Sequence, residues 1–158
     1  MMIPKKNREY FKMTSQKRDG DNSLIEGILT CCNAHNFDVF VAGEIQHSVL
    51  SKMYLLSEND NILLKVRCQK CGKVISSCDG YEQCGSGQHT YTALKQIRCK
   101  KCLDDSFSVV IRYEYSNIEE LEKLEIIEID NAFTWIWITL ECNKCGTRYK
   151  NFIEYETT

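Results

Sequence analysis

The chain has 158 residues, 20 Lys and Arg against 22 Asp and Glu, 43% apolar residues and 10 cysteines. That length holds one domain or two very small ones, and the apolar share suits a folded globule rather than a disordered chain. No stretch approaches the ~20 apolar residues of a membrane helix, and Met1 to Lys6 lead into charge without the apolar run of a secretory signal. Ten cysteines without such a signal point to a reducing, cytoplasmic setting and to metal ligation, not to a disulfide framework.

Residues 1–23 are polar and basic, and read as a flexible tail or short exposed helix. Tyr10, Phe11 and Met13 are too few to pack a core helix. The functional alternative is an electrostatic arm for nucleic acid carried by Lys5, Lys6, Arg8 and Lys12. Residues 24–78 form the first unit. In it Cys31 and Cys32 precede a strand from Phe37, a connector runs from Gly43 to Asn61 with a turn at Ser57–Asn61, and a second strand ends at Cys68-Gln-Lys-Cys71-Gly72. Residues 79–94 are rich in Gly and Ser and read as a connecting loop. Residues 95–158 form the second unit: Cys99-Lys-Lys-Cys102, a strand from Phe107, an acidic connector with helical spacing at Ile118, Leu121 and Leu124, a strand from Trp135, and Cys142-Asn-Lys-Cys145-Gly146.

The two units repeat with a period near 70 residues. A cysteine precedes phenylalanine by five residues in each (Cys32 to Phe37, Cys102 to Phe107), and each unit ends in C-x-x-C-G. Two cysteines three apart on a tight turn can place both sulfurs on one metal at about 2.3 Å. The turn needs a residue tolerant of positive φ after the second cysteine, and glycine is that residue. A lysine precedes the second cysteine of every pair (Lys70, Lys101, Lys144) and would favour an anionic thiolate site. The redox reading of C-x-x-C lacks its strand–helix–strand context.

Knuckle, strand, connector, strand, knuckle resembles the zinc ribbon, and the resemblance covers about 25–78 and 95–156. Bacterial ribbon proteins in which an Asp-Gly-Tyr turn follows the C-x-x-C-G knuckle are similar to this chain at Asp79-Gly80-Tyr81. The resemblance implies a fold and a metal and carries no activity. The Lys, Ile and Asn usage is that of an AT-rich genome, a bacterium or its phage. The expected fold is therefore mainly β: two tandem zinc-ribbon-like hairpin units packed together, face to face or through dimerisation, with short helical connectors.

Cys99, Cys102, Cys142 and Cys145 are expected to hold one zinc. In the first unit Leu29 stands where Cys99 stands in the second. Cys32, Cys68 and Cys71 then need a fourth ligand, either Cys31, which matches a four-thiolate twin, or His35. A third outcome is a first unit that has lost its metal, leaving one zinc instead of two. A rival pairing joins Cys68 and Cys71 to Cys99 and Cys102 and strands the last pair.

Two four-thiolate zinc sites take the formal charge from −2 to about −6, which disfavours a nucleic-acid binder. The expected function is a zinc-stabilised scaffold acting on a protein partner, with a nucleic-acid-binding ribbon as the alternative. A Trp135–Trp137 stripe serves core or interface packing in the first reading and base stacking in the second. Closed sites leave no position for a reacting water, and no catalytic fingerprint appears, so no enzyme is expected. Cys78, Cys84 and His89 supply a further metal site or a nucleophilic pair only as a minor reading.

Overall fold

In the computed structural model the described residues are 3–47, 52–56, 62–79, 94–121, 123 and 132–157. The architecture is mainly β, and its central strand follows from period-two alternation. In β9 (Phe107–Tyr115), Phe107, Val109, Ile111, Tyr113 and Tyr115 are all fully buried, while Val110, Arg112 and Glu114 between them are only half-buried. Each such large apolar side chain contributes about 1.5–3 kcal/mol on burial. One face of β9 is thereby committed to the core.

Antiparallel partners flank it on both sides. β2 (Asn22–Leu29) pairs one edge from Ser23↔Tyr115 to Ile28↔Val110, and β10 (Trp135–Cys142) pairs the other from Trp135↔Glu114 to Cys142↔Phe107. β1 (Phe11–Asp19) extends beyond β2, and β11 (Arg148–Glu156) beyond β10. A second arm is built from β3 (Phe37–Ala42), β6 (Leu63–Cys68) and β7 (Val74–Asp79), with the two-residue β8 (Lys95–Gln96) on the free edge of β3. The arms meet at the Phe37↔Phe107 pair, past the point where β2 leaves β9. The buried faces of both arms enter a single core. β4 (Glu44–His47) and β5 (Met53–Leu56) form a separate hairpin, with β5 against β11. Two one-turn helices, α1 (Lys5–Arg8) and α2 (Ile118–Leu121), complete the described elements.

The N-terminal segment differs from the expected tail. Ile3 and Asn7 are fully buried, and Phe11–Asp19 is a paired edge strand. Asn7 Nδ2 donates to the Tyr113 hydroxyl at 2.6 Å and to the Ser77 carbonyl at 3.1 Å. The reason is that an edge strand can be held by its backbone ladder with both faces wet, so apolar alternation does not announce it. Lys6, Arg8 and Lys12 therefore sit on α1 and β1, and Arg8 Nη2 donates to the Ile3 carbonyl at 3.2 Å. The Lys5 side chain lies outside the described residues. β2 also crosses the expected boundary: it lies within 24–78 for most of its length but pairs with β9 of the second unit. The first connector carries the β4–β5 hairpin, and its turn at 57–61 lies outside the described residues, as do 80–93 of the connecting loop.

Gly27 makes the β1–β2 contact possible. A Cβ there would collide with the Phe11 ring and lie 2.6 Å from the Lys12 carbonyl oxygen. Gly27→Ala is expected to destabilise the fold by about 1–3 kcal/mol, read as a lower urea midpoint at unchanged slope. An unchanged midpoint would contradict the close approach.

Candidate metal centres

Three turns of the chain are congruent. After Cys68, the Gly72 N–H donates to the Cys68 carbonyl at 2.8 Å and the Cys68 N–H to the Lys73 carbonyl at 2.9 Å. After Cys142, Gly146 and Thr147 repeat these bonds at 2.9 and 2.8 Å, and after Cys99, Leu103 and Asp104 repeat both at 2.8 Å. The residue closing each turn has positive φ: 78° at Gly72, 75° at Gly146 and 63° at Leu103. Open space surrounds a Cβ at either glycine, so glycine there serves the backbone angle and not a close contact. Leu103 adopts the same angle at a steric cost of about 1–2 kcal/mol.

The fourth turn is built differently. Cys31 and Ala34 exchange backbone bonds at 2.9 and 3.0 Å around Cys32 and Asn33, whose φ values are 55° and 57°. Two successive positive φ angles make a primed two-residue turn. It places adjacent cysteines, instead of cysteines three apart, beside the Cys68–Cys71 knuckle.

The result is two groups of four sulfurs. Cys31, Cys32, Cys68 and Cys71 form one, and Cys99, Cys102, Cys142 and Cys145 the other, and within each all sulfurs lie within 4.8 Å of one another. The Sγ–Sγ separations include 3.9 Å for Cys31–Cys32, 3.6 Å for Cys31–Cys71, and 3.5 Å for both Cys99–Cys145 and Cys102–Cys142. Four thiolates around a tetrahedral zinc at about 2.3 Å have sulfurs about 3.8 Å apart, so each group has the size and donor set to hold such an ion. Cys31 fills the place that Cys31 and His35 contested. His35 is exposed and belongs to neither group, while its carbonyl accepts from Ser108 Oγ at 3.3 Å. The rival pairing of Cys68 and Cys71 with Cys99 and Cys102 does not occur, because β3 and β9 each carry their own knuckle to their own partner.

The surroundings of the thiols favour a cation at each group. Burial acts to raise Cys99, but hydrogen bonds from the Tyr149 hydroxyl and from the Cys102 and Lys101 N–H groups outweigh it and bring the thiol down to about 6. The Lys73 N–H, with donation from Cys32 and Cys31, brings Cys71 down to about 7. Burial, then bonds shared with Cys71, Cys68 and Cys32, pushes Cys31 up to about 12. Cys102 is likewise pushed up to about 12: the Asp104 N–H opposes the rise, but burial and the neighbouring sulfurs outweigh it. In the first group Cys71 is favoured as a thiolate while Cys31 and Cys32 are pushed up, and in the second Cys99 and Cys145, the latter through the Thr147 hydroxyl and N–H, are favoured while Cys102 is pushed up, as crowding of like charge demands until a cation neutralises it.

Several supporting residues carry no motif. Tyr149 Oη lies 3.4 Å from Cys99 Sγ and accepts from the Lys100 N–H at 2.9 Å, and Thr147 Oγ1 lies 3.0 Å from Cys145 Sγ. Asn143, inside the last knuckle, donates to Asn36 Oδ1 at 3.1 Å and Ser106 Oγ at 3.0 Å, and accepts from Ser108 Oγ at 2.6 Å. It thus ties the second centre to the segment following the Cys31–Cys32 turn. The lysines act less directly than expected: Lys70 Nζ reaches the Cys32 carbonyl at 3.4 Å, and Lys101 and Lys144 are exposed.

The centres differ in access. Cys32 and Cys71 are exposed in the first, whereas Cys99 and Cys142 are buried in the second and Cys102 and Cys145 half-buried. Cys78 is fully buried in the core on β7, away from solvent, and Cys84 and His89 lie outside the described residues. Trp135 and Trp137 are half-buried on the outer face of β10, not in the core. Their rings stack at 5.5 Å and 9°, and the Arg112 guanidinium lies 4.5 Å over Trp137. The two rings thus stack on each other and under an arginine, on a face that no other described element of the chain covers. Among the described residues no helix is long and apolar enough to cross a membrane. Comparison with protein-family models, curated proteins and solved structures finds no match to this chain, so its two four-cysteine centres are what characterise it.

Proposed function

We propose that the chain is a duplicated zinc-ribbon module that binds two structural zinc ions and acts, without catalysis, on a protein partner. The observation that carries the metal reading is the pair of all-thiol groups with sulfur spacings suited to tetrahedral zinc. Duplication is supported by matched registers. Phe37 pairs Cys68 as Phe107 pairs Cys142, and the N–H of Gln69 donates to Asn36 as that of Asn143 donates to Ser106, both at 3.0 Å. β6 against β7 and β10 against β11 both shift register about four residues before the knuckle. Four protein thiolates close each site to water, which supports a structural rather than a catalytic metal.

The protein reading is favoured over nucleic acid by charge and by placement. The basic residues of the N-terminal segment are spread over α1 and β1 instead of gathered on a free arm, and the net charge with zinc is strongly negative. Metal analysis of the purified chain is expected to give two zinc ions per chain. One ion would mean a metal-free first unit, and none would refute the module. A saturable complex with a protein, free of nucleic acid, is the expected assembly. Tight, salt-dependent binding to DNA or RNA would instead favour the alternative.

A further inference from the structure

We propose that the outer face of the five-stranded β1–β2–β9–β10–β11 sheet is a protein-docking surface: a pocket between Arg112, Arg148 and Lys150 seats a carboxylate of an acidic partner, and Trp135 and Trp137 form the apolar anchor beside it. This deepens the protein-binding reading above and rests on it.

Separate features converge on this spot. The first is a pocket of about 30 Å³ that is lined by Arg112, Arg148 and Lys150 against a single carboxylate, Glu26. One water-sized group needs about 10–15 Å³, so the pocket has room for the two oxygens of a carboxylate but not for a nucleotide. The second is Arg112 Nε, which is buried and has no hydrogen-bond partner among the described residues. A desolvated guanidinium N–H left unpaired is costly, and a carboxylate is its natural complement. The third is the sheet itself. β10 and β11 shift register between Ile138 and Leu140, and Asn151, on the pocket wall, has φ 52° with its N–H donating to Thr139 Oγ1 at 3.1 Å. Bulges of this kind re-aim side chains and gather at functional edges.

The aromatic pair supplies the rest. Trp and Arg are the residues that dominate protein–protein binding energy, and here they stack on one another at a half-exposed surface. Charge decides the class of partner. Trp135 is paired across the strands with Glu114 on one side and Glu156 on the other. A nucleic-acid backbone following the tryptophans would run between these carboxylates, which repel phosphate. A flexible acidic segment can end in the basic pocket without passing between Glu114 and Glu156, and the same protein can lay uncharged apolar surface on the tryptophans, so that only the pocket meets a carboxylate.

Both tryptophans of the chain lie in this patch, so their fluorescence reports on it alone. The zinc-loaded full chain is titrated with hexaglutamate and, separately, with a short oligothymidylate. Hexaglutamate is expected to change the emission saturably. In the Arg148→Glu, Lys150→Glu double variant, both substitutions being at exposed positions, its affinity should fall at least about tenfold with metal content unchanged. An unchanged isotherm in that variant, no saturable change with hexaglutamate, or tighter binding of oligothymidylate would each overturn the proposal. A protein partner that binds wild type and variant alike would sink this surface while leaving the protein-binding reading in place. Preferential binding of oligothymidylate would sink both.

Discussion

Replacing Cys142 with serine is expected to unfold most of the chain at room temperature, whereas replacing Cys32 is expected to leave a folded protein holding one zinc. Cys142 is 1% exposed and pairs with Phe107 where the two arms of the sheet join, and its sulfur belongs to the buried group with Cys99. Structural zinc in small modules contributes on the order of 10–16 kcal/mol at neutral pH, as much as or more than the 5–15 kcal/mol of a whole domain. Losing the proposed ion at the junction would remove support from β9, β10 and β11 together. Cys32 is exposed on a two-residue turn at the rim of the second arm. Its loss opens one corner of the first centre and leaves the Phe107–Tyr115 core untouched. Circular dichroism and zinc content of the two variants check this. Equal damage from both substitutions would mean that the centres share the structural burden, which the burial difference argues against.

Acidification and chelation are expected to empty the first centre before the second. Zinc ligation needs thiolates, so protons compete with the metal. Cys71 and Cys99 have folded pKa values lowered from 9.0, to about 7 and about 6. A lowered value favours the folded thiolate above it and loses that advantage as pH falls through it, so the sign is acid lability for both centres. Exposure sets the order, since a chelator can approach Cys32 and Cys71 directly while Cys99 and Cys142 lie beneath the strands. Zinc release into a colorimetric chelator, followed from neutral pH down to about 5, should therefore be biphasic. The first phase should disappear in Cys32→Ser. A single phase, or a fast phase surviving in that variant, would show that the centres empty together. The Asn143 network joins the two knuckles, so Asn143→Ala should separate the phases further by loosening each centre from the other.

The sequence by itself determined the chemistry and much of the local geometry. The C-x-x-C-G spacings specify the positive φ turns at Gly72 and Gly146, because a tight turn that gathers two sulfurs three residues apart closes through a positive φ that glycine adopts without strain. The alternation of Phe107 to Tyr115 specifies a strand with one dry face, because side chains in extended chain must alternate. The five-residue offset from Cys32 and Cys102 to phenylalanine foretells the shared register with Cys68 and Cys142.

Only the tertiary structure decided the rest. Cys31 and His35 are each close enough in sequence to Cys32 to serve as the fourth ligand, and the turn at Cys32 and Asn33, with two positive φ angles that neither residue demands, set Cys31 beside the other sulfurs. Beyond Phe11, the strand to Asp19 is largely exposed and is held by its ladder with β2, so apolar alternation does not mark it. β2 itself was drawn away from its own unit by the free edge of β9. Asn143 and Tyr149 support the centres through contacts with residues distant in sequence, and the open face with its tryptophans and the unpaired Arg112 Nε exists only once β9, β10 and β11 lie side by side. Ligand spacing and alternation act within a few residues and can be read from the chain; edge pairing, remote hydrogen bonds and shared surfaces depend on which distant segments the core brings together.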